Sequence, residues 1–480
     1  MTESSLKSQA TKGMLWNAAE KFAVQGGQLF IGIILARILV PDDFGLIGML
    51  TIFIAISQVF VESGMGSGLV QKKERIDSDF STVFVFNFVI SLLIYLILFF
   101  FAPLIAKFYN MPQLVILTRV LTINIIINSL AVVQRTRLTI NLDFKTIAKV
   151  NVVSVFVGGI LGVLFAYWGY GVWSLVIQNL SGAIASVIMF WFLSHWRPSF
   201  LFSKKSFNEL FGFGYKLLLS GLYAQIINNL YNLIIGKVFS AAELGYYTRA
   251  RSFAELTAGT VTSVLHQVSF PILASLRDDK DRMTVIFSKM IRMTSFFIFP
   301  SMTILAILAK PFVIIVLTEK WLPVVPFLQM LCFARVFYPM SVINMNILNA
   351  IGRSDLFLKV DLLKFPLYVI SLIITIPLGL NAIVIGQMFV SFFAFLMNSY
   401  LSGRLFGYGS IAQLKDMMPV FVASIIAAFV VWFFCIMIES MLLKLILGII
   451  IGGTVYLLAS YFLKINELKE IQLLARNFVK

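Results

Sequence analysis

Of 480 residues, 60% are apolar and only 12% charged, against roughly a quarter charged in an ordinary soluble domain, and the formal net charge is +16. A mean hydropathy of +0.94 excludes a soluble globular enzyme. The apolar residues run continuously instead of alternating, which excludes an outer-membrane barrel and leaves bilayer-crossing helices of about 20 residues each.

Fourteen such runs follow one another. The first, near 15–39, has a polar stripe: Asn17, Lys21 and Gln28 share one helical arc, with Gln25 at its edge and Glu20 beside it. The polar stretch before it and the absence of a cleavage-site pattern imply that this run is retained rather than removed as a signal peptide. A turn at PDDFG (41–45) opens the second run, near 44–69, which ends on Gly64, Gly66 and Gly68. Lys72, Lys73 and Arg75 follow, then runs near 80–106 and 113–134. A second basic segment, with Arg135, Arg137, Lys145 and Lys149, precedes runs near 148–168 and 171–194. WRPSFLFSKK (196–205) then reads as a linker long enough for the flanking parts to move.

The seventh run, near 210–236, carries Lys216 close to its start, and its Gln225, Asn228, Asn229 and Asn232 form a second polar arc. In the eighth, near 246–274, Arg251, Glu255, Thr262 and His266 fall on one face. Runs near 290–317, 324–349, 358–379, 381–403, 417–438 and 441–463 complete the set, with Arg335 inside the tenth. Pro271, Pro300, Pro339, Pro366 and Pro377 interrupt spans of the second half and are expected to kink them.

The chain contains an internal repeat. LARILVPDDFGL (35–46) aligns with IGKVFSAAELGY (235–246), so Arg37 meets Lys237, Asp43 meets Glu243 and Gly45 meets Gly245; Gln25 and Gln28 likewise meet Gln225 and Asn228. With a small drift, Leu138 meets Leu348, Lys149 meets Lys359 and Gly169 meets Gly379. Six spans per unit make a parallel duplication, as in two-lobed transporters. The expected organisation is all-α and polytopic: an N-terminal six-helix lobe over 1–195, a cytoplasmic linker over 196–209, a C-terminal six-helix lobe over 210–405, and two extra helices with a cytoplasmic tail over 406–480.

With the N-terminus in the cytoplasm, alternating spans put most Lys and Arg on that side, so the positive charge reads as a topology signal, both termini are expected to be cytoplasmic, and no nucleic-acid partner is called for. Cys332 and Cys435 fall in apolar runs, and His195 and His266 lie far apart, so no disulfide framework, metal site or cofactor is expected.

Several strings, taken together and in order, carry a family resemblance: LAR (35–37) with PDDFG, LDFK (142–145), GVWSLV (171–176), WRP (196–198), LGYYTRA (244–250), FP (270–271) and GRSD (352–355). The chain resembles the polysaccharide transporter family, the Wzx-type flippases of the multidrug/oligosaccharidyl-lipid/polysaccharide exporter superfamily, and within it the colanic and teichuronic acid exporter branch. The resemblance implies a two-lobed helical flippase, not an enzyme, that moves a polyprenyl-diphosphate-linked oligosaccharide across the bacterial cytoplasmic membrane. Its implied partners are that lipid-linked substrate, membrane lipids and other polysaccharide assembly proteins. A cation-coupled drug antiporter of the same superfamily and a membrane polysaccharide polymerase or ligase are the alternatives.

A diphosphate and its sugars cannot cross hydrocarbon unaided, so ionisable residues inside the spans are functional candidates. Lys21, Gln25, Gln28, Lys216, Gln225, Asn228, Arg251 and Arg335 are the candidates for lining a substrate cavity; for the polar arcs, hydrogen bonding between helices is the competing explanation. Arg335 has the planar fork that suits phosphate oxygens. Glu255 and His266 are the candidates for ion coupling, against a simple ion pair and a core histidine.

Overall fold

A computed structural model describes residues 3–199, 201–277 and 279–479; the side chains of 3–15, 17, 18, 260, 261, 263–268, 270, 271, 354 and 473–479 lie outside that description, His266 and Pro271 among them. The described backbone has helices and no strand. Twelve stretches of it are long and apolar enough to cross a membrane. The other two expected spans are helical but more polar: α11 (Ala241–Ser275) and α16 (Ser354–Thr375). In α16, Lys364 is only 9% exposed and pairs with Asp361, one turn back, at 2.5 Å.

The chain divides into two compact units, Met1–Gly245 and Tyr246–Lys480. The first holds α1 (Glu3–Ile38), α2 (Pro41–Glu62), α3 (Met65–Gln71), α4 (Asp77–Tyr109), α5 (Leu114–Leu121), α6 (Ile123–Ser129), α7 (Val132–Ile140), α8 (Phe144–Tyr167), α9 (Val172–Leu193) and α10 (Lys204–Val238). The division lies downstream of the linker because α10 packs on α2, α3 and α4. Side chains such as Ile97, Phe100 and Leu104 of α4 stay exposed, which suits lipid and not water.

The repeat-related turns are built alike. Pro41 starts α2 with the ring geometry a first helical turn accepts, and the Asp43 carboxylate accepts the Val40 amide at 3.2 Å. At the start of α11, Glu243 accepts the Ser240 amide at 3.0 Å, so the repeat-related acids cap repeat-related helices. The two turns also dock through their glycines. A Cβ on Gly45 would lie 1.8 Å from the Ala241 carbonyl oxygen, and one on Gly245 would lie 2.0 Å from that of Pro41.

The linker is tied down. Trp196 packs with Phe80 and Phe84 in a cluster that includes Met65, Leu69, Val133 and Leu210. The Ser199 amide donates to Ser81 Oγ at 3.3 Å and the Ser203 amide to Thr82 Oγ1 at 3.0 Å. The freedom expected of this segment from its composition is taken up by contacts with the first two turns of α4.

In the second unit follow α12 (Lys280–Ile307), α13 (Ala309–Val316), α14 (Val324–Val336), α15 (Tyr338–Ala350), α16, α17 (Leu380–Phe406), α18 (Ser410–Met437), α19 (Met441–Phe462) and α20 (Asn466–Val479). Asn344 of α15 and Gln413 of α18, both fully buried, exchange side-chain hydrogen bonds of 2.9 Å in each direction. Arg292 of α12 reaches Asp416 of α18 at 3.1 Å and Glu467 of α20 at 2.9 Å. The helices beyond the repeat are therefore integral to this unit.

Candidate functional site

The tenth span, Val324–Ala350, is interrupted near its middle at one residue, Phe337, whose backbone stays in the helical region (φ −83°, ψ −9°). Pro339 has no amide hydrogen and its ring crowds the carbonyl of residue 335, so α14 stops at Val336 and α15 starts at Tyr338. The break is stabilised from α17, where Ser391 Oγ donates to the Ala334 carbonyl. Discontinuous helices at membrane depth are tolerated where protein or a polar cavity satisfies their backbone.

Arg335 occupies the last turn of α14, beside this break. Its Nη2 donates to Glu255 Oε1 at 2.5 Å, and Arg251 Nε donates to the same oxygen at 2.8 Å from one turn away along α11. One turn before Arg251, Tyr247 is fully buried and donates to Gln387 Oε1 of α17 at 3.2 Å. The Arg335 guanidinium also lies 5.6 Å from the Tyr338 ring centroid. Two guanidiniums share one carboxylate, leaving an excess positive charge inside a span, where an arginine costs about 3 kcal/mol on insertion scales. Arg335 Nε is buried and has no hydrogen-bond partner among the described residues. The Arg251 and Arg335 side chains are 16% and 18% exposed, and that of Glu255 is half-buried at 41%.

Of the residues singled out in the sequence, Arg251, Glu255 and Arg335 thus form one cluster. Lys21, Gln25, Gln28, Lys216, Gln225 and Asn228 belong to the first unit. There Glu20 of α1 accepts from Asn151 of α8 at 2.5 Å, which joins two helices rather than lining a cavity. Lys21 and Gln25 are half-buried and Gln28 is exposed. On α10, Asn229 donates to the Gln225 carbonyl at 3.0 Å, while Lys216 and Asn228 are exposed. Tyr247, Tyr338, Gln387 and Ser391 are not among the site candidates drawn from the sequence, although Tyr247 lies in the LGYYTRA string. Tyr247 and Tyr338 stand four and three residues from the arginines, a helical spacing that could have flagged them; Gln387 and Ser391 had only their polarity within an apolar run.

A separate hollow of about 500 Å³ lies among α11, α12, α13 and α19, lined by Phe296, Pro300, Ile304, Phe312 and Ile449 among others. Its walls are nearly all apolar, so it offers a phosphate or sugar little to bind.

Helical spans, a break in mid-span and a charged cluster beside that break make this a polytopic membrane protein of the transporter type. The family described as Polysaccharide biosynthesis protein matches residues 34–326, and the chain belongs to it. The chain is 27% identical over 330 residues to the teichuronic acid biosynthesis protein TuaB of Bacillus subtilis, covering 67% of each chain. It is 24% identical over 372 residues to the lipopolysaccharide biosynthesis protein WzxC of Escherichia coli, covering 77% of this chain and 76% of that one. Among solved structures it is similar to the lipid II flippase MurJ in an inward closed conformation. There the TM-score is 0.79 at 18% identity, over 94% of this chain and 99% of the other.

Proposed function

We propose that this protein is a flippase of the cytoplasmic membrane that carries a polyprenyl-diphosphate-linked oligosaccharide from the inner to the outer leaflet by alternating access. The protein alternates between states open to either side of the membrane, and both termini and the linker face the cytoplasm. No bond is made or broken. The observation that carries this reading is the net-positive Arg251–Glu255–Arg335 cluster beside a mid-span helix break, in a chain of the polysaccharide biosynthesis family. A diphosphate head group needs such a group of cations at membrane depth, since planar guanidiniums donate in pairs to phosphate oxygens. The relatives serve teichuronic acid and lipopolysaccharide biosynthesis, and the similar solved structure is a lipid II flippase; a lipid-linked glycan is the substrate class in keeping with these names.

The test is reconstitution. Proteoliposomes loaded with a polyprenyl-diphosphate oligosaccharide are exposed to an impermeant lectin on one side, and the protected fraction is followed in time. Loss of protection in protein-containing vesicles alone is the expected result. Equal loss in protein-free vesicles, or protection that never falls, refutes the reading.

A further inference from the structure

We infer that Glu255 is an internal ligand of the transporter: its carboxylate fills the oxyanion seat between Arg251 and Arg335 while no substrate is bound, is displaced by a phosphate, and competes to eject that phosphate afterwards. This deepens the flippase reading and rests on it. The stoichiometry requires an anion at this place in every state. Two guanidiniums with low exposure would otherwise face each other without a counter-charge, and breaking a buried pair by removing one partner is strongly destabilising. Glu255 is the anion present, and both arginines meet its single oxygen Oε1.

The fit is incomplete on the arginine side. An arginine can present Nε–H and an Nη–H as a parallel pair, but Glu255 engages only Nη2 of Arg335 and leaves the buried Nε without a partner among the described residues. A tetrahedral phosphate has enough oxygens to take Nε and Nη2 of Arg335 together and still accept from Arg251. Exposure favours the exchange as well. Arg335 is held against Tyr338 and at the helix break, whereas the Glu255 side chain is the most exposed of the three. An internal competitor weakens substrate binding by the work of its own displacement, which keeps a transporter from being trapped by its cargo.

The ligand chemistry is an oxyanion, whose source is either the diphosphate of the lipid carrier or an acidic sugar of the glycan. Inorganic pyrophosphate and glucuronate separate the two. With full-length protein in detergent and binding read by calorimetry, Glu255→Gln should bind pyrophosphate at least tenfold more tightly than wild type. Arg335→Gln should bind it at least tenfold more weakly, and glucuronate should show neither change. In proteoliposomes Glu255→Gln should flip substrate more slowly despite binding better, a split that a purely structural ion pair would not produce. Unchanged or weaker pyrophosphate binding by folded Glu255→Gln overturns the proposal, as does a gain for glucuronate alone. If Glu255→Gln does not fold, Glu255→Asp, which draws the charge back by one methylene, should tighten binding about threefold; no tightening overturns the proposal equally. Wild-type flipping without these affinity changes would remove only the role of Glu255. The affinity changes without any flipping would remove the flippase reading and leave an anion site.

Discussion

Two charge clusters in this protein share their chemistry and differ in what they leave unspent. Near the linker, Lys72 bridges Asp79 at 3.1 Å and Glu209 at 2.9 Å, tying α3 to α4 and α10. Asp79 is fully buried, yet it is also bonded to the Ile76 amide at 3.1 Å, so its acceptors are used and it sits at a helix start where an anion is favoured. Burial favours the neutral amine of Lys72, but the hydrogen bonds and charges of Glu209 and Asp79 outweigh it and raise Lys72 above the ordinary lysine range. The Arg251–Glu255–Arg335 cluster joins the tenth span to α11, carries more cation than anion and keeps a buried donor without a partner among the described residues. The first cluster is closed and holds helices together; the second, on the proposed function, is the one with capacity for a ligand. A satisfied network specifies structure, and an unsatisfied one calls for a functional explanation.

The largest effect that separates them is Arg335→Ala. Export of polysaccharide in cells that depend on this protein should fall at least tenfold at equal protein level. Purified protein should lose only about 1 kcal/mol of stability, because Glu255 keeps Arg251 as partner. Arg335→Lys should recover part of the export, since an ammonium lacks the planar fork. Full export by Arg335→Ala would make the second cluster as structural as the first.

Asp79→Ala should show the converse. Removing a buried carboxylate bonded to an ammonium and a helix amide should cost about 3 kcal/mol, read as a fall in melting temperature and in membrane-inserted protein. Export per inserted molecule should stay as in wild type. If it drops as far as in Arg335→Ala, the cluster near the linker takes part in transport and the contrast is wrong. Glu209→Gln is the milder form, because the Glu209 side chain is 52% exposed and Lys72 keeps Asp79. Its effect on stability should stay within about 0.5 kcal/mol, as for exposed ion pairs.

Much of this is legible in the amino-acid sequence. Apolar runs locate the spans, because lipid leaves little choice of composition, and the alignment of PDDFG with AAELG picks out turns that share capping and glycine docking. Arg251, Glu255 and Arg335 each stand out as charges in hydrocarbon. Their meeting does not: Arg335 and Glu255 are 80 positions apart, Tyr247 and Gln387 are 140, and Lys72 and Glu209 are 137. Such pairings are set by how helices cross, and a single sequence carries no periodic signal of that. The linker departs from its composition for a related reason. Proline, serine and lysine read as loose chain, and the contacts of Trp196 and Ser203 that hold it come from α4, far back in the sequence.

The smallest expected effect is the control for the whole comparison. Arg353 pairs with Asp355 in the GRSD segment through two hydrogen bonds of 2.9 and 2.8 Å, a better-formed fork than Arg335 makes with Glu255, but both side chains are half-exposed or more. The Arg353 hydrogen bond holds the Asp355 carboxyl below the usual carboxylate range. A lowered folded-state value adds stability above the unfolded one and loses it as pH falls through the folded value, so any contribution should be complete at neutral pH, start to fall near the unfolded carboxylate value of about 4 and disappear at lower pH. At neutral pH, Asp355→Asn should leave both the melting temperature and export indistinguishable from wild type, since water screens the pair and replaces its hydrogen bonds. A clear loss of stability would mean that bond geometry outweighs burial in ranking these clusters. A clear loss of export with stability intact would place a third charged group in transport, outside the spans, and would undo the distinction between closed and open clusters on which the other predictions rest.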